Sequence, residues 1–258
     1  MNTPRPGLRA ALSNRTIQMM LGGTVFIAAA ASAALAMQAP ATVNMADKAA
    51  IEKIVHDYIL EHPEIIPQAI EKLQGKRTGA LIGQNRSAIE TPFAGAWEGA
   101  EKGDVTVVEF FDYACGYCRA SLPDLAKLVA ADKGVKVVYR ELPILSAASG
   151  DAAKVSLLAA EKGKYMPFHK ALYGAGKVTR DTIFAAAAGV GIDRKAAEAA
   201  MVSKTYDAEV ESNMSLAQKL QATGTPTFVV GDQVLSGAVG YDALKEAVDK
   251  ARAAKAGG

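Results

Sequence analysis

The sequence has few thiols and few imidazole groups, with two cysteines and three histidines among 258 residues. So few thiols exclude a scaffold held by several disulfides, and so few soft ligands argue against a four-ligand structural zinc site. A P-loop and a dinucleotide-binding glycine motif are also absent, so we expect no cofactor. The formal net charge is only +2, because the chain has 29 basic and 27 acidic residues. The sequence therefore has no electrostatic feature that indicates a nucleic-acid partner.

The beginning of the sequence has the pattern of an export signal. Arg5, Arg9 and Arg15 precede an apolar stretch, no acidic residue occurs in 1–36, and small residues flank Leu35. A charged start, an apolar middle and a small-residue end are typical of a secretory signal peptide. The alternative is an uncleaved anchor, because the apolar stretch is long enough to span a bilayer. In both cases the rest of the chain is expected outside the cytosol, in a compartment where disulfides can persist.

Two short amphipathic helices are predicted next. Segments 51–58 and 66–73 place apolar residues at spacings of three and four, and Pro63 separates them. Helices this short are marginal alone in water, so their apolar faces must be buried. The partner surface is either the main domain or the same segment of another chain, and the sequence does not choose between these.

Glycines at a four-residue spacing follow the second helix. Gly75, Gly79 and Gly83 stand among basic residues and would each cost a helix about 1 kcal/mol. We interpret this stretch as a flexible linker, and the alternative is a helix whose glycine face lets a neighbour approach closely. Segment 44–91 is thus predicted to be a helical or oligomerisation module with its linker, and 92–255 the catalytic domain.

The main domain has an α/β pattern. Hydrophobic residues make up 50% of the chain, which is enough for a packed core. The predicted order is a β-α-β unit, a long helical block and a closing β-β-α unit, which indicates a mixed sheet. The predicted strands are 105–111, 135–139, 227–230 and 233–235, and the predicted helical segments are 115–131, 151–220 and 241–252.

The two cysteines occur together as Cys115-Gly116-Tyr117-Cys118, where a strand gives way to a helix. The dipole of a helix N-terminus favours a thiolate, and the second thiol lies one turn away. We therefore predict Cys115 as the nucleophile of disulfide exchange and Cys118 as the resolving thiol. The alternatives are linear capture of a cuprous ion by both thiolates and an inert staple. The histidines show no spacing that would add further ligands, so no other metal site is predicted.

A third ionisable residue, Glu109, stands in the apolar strand six positions before Cys115. A buried carboxyl group there would have a raised pKa and could pass a proton to or from Cys118. The alternative is a solvated acid on an edge strand.

The sequence Gly224-Thr225-Pro226-Thr227-Phe228 lies directly before a predicted strand. Together with the CxxC helix, it resembles the cis-proline loop of the thioredoxin superfamily. The resemblance implies that Pro226 is cis and that Thr225 presents its backbone to an extended substrate. It also implies that Gly116 and Tyr117, between the cysteines, contact the substrate.

Segment 92–252 resembles the DsbA branch of exported thioredoxin-like proteins, with 151–220 as its helical insertion, and 51–73 resembles the N-terminal module of ScsC-type proteins. This resemblance implies a periplasmic disulfide isomerase or oxidoreductase that acts on cysteine-containing exported proteins. It further implies a homo-oligomer, most simply a trimer, and a membrane thiol reductant of the DsbD or ScsB type. The Gly116-Tyr117 dipeptide and Thr225 resemble DsbC isomerases more than DsbA oxidases. A DsbA-like dithiol oxidase is the alternative within the class, and a copper-tolerance protein the alternative outside it.

Overall fold

A computed structural model describes residues 45–256, so the predicted signal peptide, 1–36, lies outside the described residues. Among residues 45–256, no helix is both long and apolar enough to cross a bilayer. The chain divides into two structural units after Ile65. The described part of the first unit is helix α1 (Met45–Glu61) and a turn in which the His62 N–H donates to the Tyr58 carbonyl. The apolar face predicted for 51–58 is present and is exposed.

Helix α2 (Ile65–Glu90) occupies the segment predicted to contain a flexible linker, and that prediction is wrong. The helix continues through all three glycines because its later turns are held by the domain. Ile82 and Ile89 are fully buried in a core cluster, and Arg86 forms an ion pair with Asp232. Burial of two isoleucines is worth roughly 3–6 kcal/mol, comparable to the helix cost of three glycines.

The sheet in the described part of the chain has five strands in the order β1-β3-β2-β4-β5. The parallel pair β2–β3 lies at its centre, and β1 and β5 form antiparallel edges. The predicted strands are all confirmed, whereas β1 was not predicted. The strands are β1 (Trp97–Gly99), β2 (Val105–Phe111), β3 (Val135–Glu141), β4 (Thr227–Val230) and β5 (Gln233–Ser236).

Helices cover both faces of the sheet. The predicted helices at 115–131 and 241–252 are confirmed, and the predicted helical block consists of five helices. One face packs mainly under α3, α9 and the helical block, and the other under α2 and the end of α8. The helices are α3 (Gly116–Ala131), α4 (Ala147–Glu161), α5 (Tyr165–Gly174), α6 (Arg180–Gly189), α7 (Arg194–Met201), α8 (Lys204–Lys219) and α9 (Gly240–Ala256).

Alternation along β2 decides which side chains face α3. Val107 and Phe111 belong to the core cluster that contains Cys118, whereas Val108 and Phe110 belong to the cluster beneath α2. Because successive side chains of a strand point to opposite faces, Glu109 shares the face of Val107 and Phe111. The fold therefore sends this carboxyl group toward the cysteine-bearing helix.

Candidate active site

The two cysteines lie at the start of α3, directly beyond the end of β2. Cys115 is the N-cap residue of α3, and its Sγ accepts a hydrogen bond from the Cys118 N–H at 3.4 Å. Both cysteines are present as free thiols. The tyrosine between them is 71% exposed, whereas Cys115 is 5% exposed and Cys118 is 1% exposed, so an exposed Cys115 thiol is not what the structure has. The start of the helix thus has one thiol at its cap, one thiol in its interior and an aromatic ring at the surface.

Asp112 fixes the turn that leads into this helix. Its carboxylate accepts from the Ala114 N–H at 2.7 Å and from the Leu145 N–H at 2.8 Å. Its carbonyl accepts from the Cys115 N–H at 3.0 Å and from the Tyr173 hydroxyl at 3.1 Å. The side chain is buried. Asp112 was not among the predicted site residues, although an aspartate directly after a strand is a frequent turn signal.

The loop before β4 brings Thr225 to the cap of α3. The Thr225–Pro226 peptide bond is cis, as predicted. The Cys115 thiol donates to the Thr225 carbonyl, with 3.2 Å between sulfur and oxygen. Residues 110 positions apart in sequence meet here because β4 pairs antiparallel with β2. The nucleophile candidate and the backbone beside the cis-proline are therefore in direct contact.

Glu109 is buried on the central strand, so the alternative of a solvated edge-strand acid is wrong. Burial, together with the nearby Cys115 and Glu98, raises the pKa of its carboxyl group well above the ordinary value. Burial and the charge of Glu109 also raise the pKa of the Cys118 thiol. The two groups are thus coupled, and both favour their protonated, neutral forms.

An aromatic cluster that the sequence analysis did not predict lies behind the site. Its centre is His169, which is fully buried and whose Nδ1 is 3.1 Å from the Tyr113 hydroxyl. Burial lowers the pKa of His169 to about 3, so the ring is neutral at physiological pH. The surrounding rings are Phe111, Tyr113, Tyr139, Tyr165 and Tyr173. This cluster packs α5 onto the strands that carry the site.

Between residues 45 and 256, no group of three or more histidine, cysteine, aspartate and glutamate side chains is placed to hold a metal ion. The described site contains two thiols and the buried carboxyl group of Glu109.

Two family models match the chain. Residues 106–249 match the DSBA-like thioredoxin domain, and residues 47–78 match the copper resistance protein ScsC N-terminal domain. The first match begins within β2 and includes β3, β4 and β5, the CxxC helix and the cis-proline loop, whereas β1 lies before it. The second spans α1 and the first half of α2.

This chain is similar to curated relatives over only part of the length of each relative. The Na(+)/H(+) antiporter NhaA 3 of Salinispora tropica is 26% identical over 67% of this chain, which spans 28% of that relative. Disulfide bond formation protein D of Bacillus subtilis is 26% identical over 59% of this chain and 74% of that protein.

Solved structures share the fold. A thioredoxin-like oxidoreductase of Silicibacter pomeroyi is 44% identical with a TM-score of 0.62, covering 65% of this chain and 98% of that one. Proteus mirabilis ScsC in a transitional conformation is 27% identical with a TM-score of 0.62, covering 81% of this chain and 99% of that one. The second likeness covers a larger share of this chain than the first.

Proposed function

The chain belongs to the DsbA-like thioredoxin family, with an ScsC-type N-terminal segment, and on that premise we propose that it is an exported thiol-disulfide oxidoreductase of the bacterial periplasm. Its substrates are disulfides of exported proteins. The observation that carries this proposal is the 3.2 Å contact between the Cys115 sulfur and the Thr225 carbonyl beside the cis-proline. A sulfur in that position can attack a disulfide while the client backbone lies along the Thr225 segment.

The proposed reaction has two exchange steps. The Cys115 thiolate attacks one sulfur of a client disulfide, so that a Cys115–client disulfide forms and the other client sulfur leaves as a thiolate. Either another client thiol or Cys118 then attacks the mixed disulfide. Attack by a client thiol rearranges the client and returns Cys115 as a thiolate. Attack by Cys118 forms the Cys115–Cys118 disulfide and leaves the client reduced.

We propose isomerisation or reduction as the direction of this chemistry in the cell. The Gly116-Tyr117 dipeptide and Thr225 support it by their resemblance to DsbC isomerases, and the ScsC-type segment supports it by the family match. Such an enzyme requires its thiols reduced, so a membrane thiol reductant of the DsbD or ScsB type is the proposed partner. A dithiol oxidase would instead require a disulfide that an oxidising partner renews.

The protein is expected to reactivate scrambled ribonuclease in a redox buffer, and its active site is expected to be mostly dithiol in cells. Trapping with acid followed by alkylation with a mass-shifting maleimide measures the second property. A mostly oxidised site in cells, together with strong oxidation of reduced ribonuclease, would contradict isomerisation and support the oxidase. Absence of any thiol-disulfide exchange activity would contradict the proposal that the protein is an oxidoreductase.

We also propose that the chain self-associates through α1. Ile54 is 67% exposed and Tyr58 is 52% exposed on the same helix face, which is a costly arrangement unless another chain covers it. Several active sites around one client would raise the effective concentration of thiols.

The Ile54→Asp variant tests this assembly. We expect its mass in light scattering to fall to that of one chain, because a charge would be buried at the contact between copies. Ala49→Asp is the matched control, since it adds the same charge on α1 away from this apolar face, and it should keep the wild-type mass. An oligomer that survives Ile54→Asp, or a wild-type protein that is monomeric, would contradict assembly through α1.

A further inference from the structure

One charged side chain lies on the first turns of α3, close to the proposed nucleophile. Residues 113–123 contain no aspartate, glutamate, lysine or histidine and one arginine, Arg119. Its backbone N–H donates to the Cys115 carbonyl at 3.2 Å, so it lies one helical turn beyond the cap, a rise of about 6 Å. Because one residue of extended chain spans about 3.5 Å, a client residue next to the reacting cysteine can reach the side chain of Arg119 while Cys115 attacks.

A hydrogen bond holds the guanidinium group of Arg119 beside the site. Its Nη2 donates to the Gly176 carbonyl, in the loop between α5 and α6, and the residue is exposed. The next residue of that loop, Lys177, is also exposed. Among residues 45–256, neither of these two cations has a carboxylate within ion-pair distance, whereas Arg180 pairs with Asp151 at 3.8 Å. Both cations are therefore available to an anionic group of another molecule.

The acidic residues nearest in sequence do not cancel this positive charge at the surface. Glu109 is buried, and burial raises the pKa of its carboxyl group, which favours the neutral form. Asp112 is also buried, and its carboxylate already accepts two backbone N–H groups. Asp124 lies five residues after Arg119, which places it about 140° around the helix. The exposed charge beside the cap of α3 is thus positive.

We infer that Arg119, with Lys177 beside it, selects clients whose reacting cysteine is flanked by acidic residues, an inference that rests on the proposed function. An acidic side chain next to the client disulfide would be attracted to these cations while Cys115 attacks the sulfur. A basic side chain at the same place would be repelled, and the difference between the two gives the specificity. The attraction acts on the encounter and on the mixed disulfide, and the exchange steps themselves are those already proposed.

The test uses two synthetic peptide disulfides as probes, which differ only in having glutamate or lysine on both sides of the reacting cysteine. With either probe, as with glutathione disulfide, a bimolecular phase of the reduced protein reports attack by Cys115 and a later unimolecular phase reports release by Cys118. The measured quantity is the bimolecular rate constant for the glutamate probe divided by that for the lysine probe. We expect Arg119→Gln to lower this ratio roughly threefold at pH 7 in dilute buffer, because one unit charge near the probe is lost.

Ionic strength and matched variants separate the charge from other effects of the substitution. The wild-type ratio should fall toward that of Arg119→Gln in about 0.5 M salt, because salt screens exposed charges. Arg119→Lys keeps the charge and should keep most of the ratio, and Lys177→Gln should lower it. Lys76→Gln removes an exposed cation from α2 and should leave it unchanged. A less reactive thiolate or a displaced loop would slow both probes alike and would cancel in the ratio.

An unchanged ratio in Arg119→Gln would overturn the inference, as would a wild-type ratio that does not depend on salt. An equal fall of the ratio in Lys76→Gln would also overturn it, because the preference would then arise from the overall charge of the protein. Failure of the proposed function has a different signature. The wild-type protein itself would then show no bimolecular phase with either peptide or with glutathione disulfide.

Discussion

A Cys118→Ser variant is expected to accumulate covalent complexes with its clients, whereas a Cys115→Ser variant is expected to form none. The first exchange step needs only the sulfur at the cap of α3, which contacts the Thr225 carbonyl. Release through the enzyme needs the second thiol, so its removal leaves the mixed disulfide to await a client thiol. Acid-quenched mixtures with scrambled ribonuclease, separated on non-reducing gels, measure both outcomes.

The two serine variants are matched, because each replaces one sulfur by oxygen within the same helical turn. Reactivation of scrambled ribonuclease should fall to the uncatalysed rate in Cys115→Ser. Complexes formed by Cys115→Ser through Cys118 would reverse the proposed roles. Wild-type reactivation by both variants would show that neither thiol carries the activity.

Glu109→Gln is expected to slow resolution by Cys118 by roughly 100-fold near neutral pH, the lower end of the range for general acid–base catalysis. The amide is close in shape to the carboxyl group but cannot accept the Cys118 proton. The bimolecular attack by Cys115 on glutathione disulfide should change far less, so the ratio of the two phases identifies the affected step. Equal slowing of both phases would contradict a role specific to Cys118.

The same substitution is expected to stabilise the protein at alkaline pH. The folded-state pKa of Glu109 is raised above its unfolded value, so its contribution to stability is fully present below the unfolded pKa and is lost as pH rises toward the folded one. Each pKa unit is worth about 1.4 kcal/mol. The melting temperature of Glu109→Gln should therefore exceed that of the wild type at pH 8, by roughly 2–4 °C per kcal/mol, and the difference should shrink toward pH 4.

Glu211→Gln is the control for this effect, because Glu211 is exposed on α8. The melting temperature of Glu211→Gln should equal that of the wild type at every pH. A Glu109→Gln variant that is less stable than the wild type at pH 8 would contradict the sign of the shift. Slower resolution combined with greater stability would identify a buried charge kept for catalysis at a cost in stability.

Much of the structure of segment 92–255 could be predicted because its sequence signals are local. β2 is a run of β-branched and aromatic residues, and Cys115 stands where that run gives way to a helical pattern. The cis bond at Pro226 was predicted by resemblance, and the structure contains it. The burial of Glu109 was predicted from one charged residue in an apolar strand, and the central place of β2 confirms it.

The missed features depend on contacts between distant parts of the chain. β1 pairs with β3 at the edge of the sheet and is three residues long, which is too short to show an alternating pattern. The glycines of α2 indicated a linker, because the sequence does not show that Arg140 donates to the Ile89 carbonyl and holds the end of that helix. The role of Asp112 depends on a distant residue, because its carboxylate accepts a hydrogen bond from the Leu145 N–H, 33 positions later in the sequence.

The sulfur that reacts first in the reduced wild-type protein identifies the attacking thiol. A brief pulse of less than one equivalent of iodoacetamide, followed by denaturation and peptide mapping, gives the distribution of label between the two cysteines. We predict nearly all of the label on Cys115, at the cap of α3 beside the Thr225 carbonyl. Label shared equally between the thiols, or found mainly on Cys118, would contradict it.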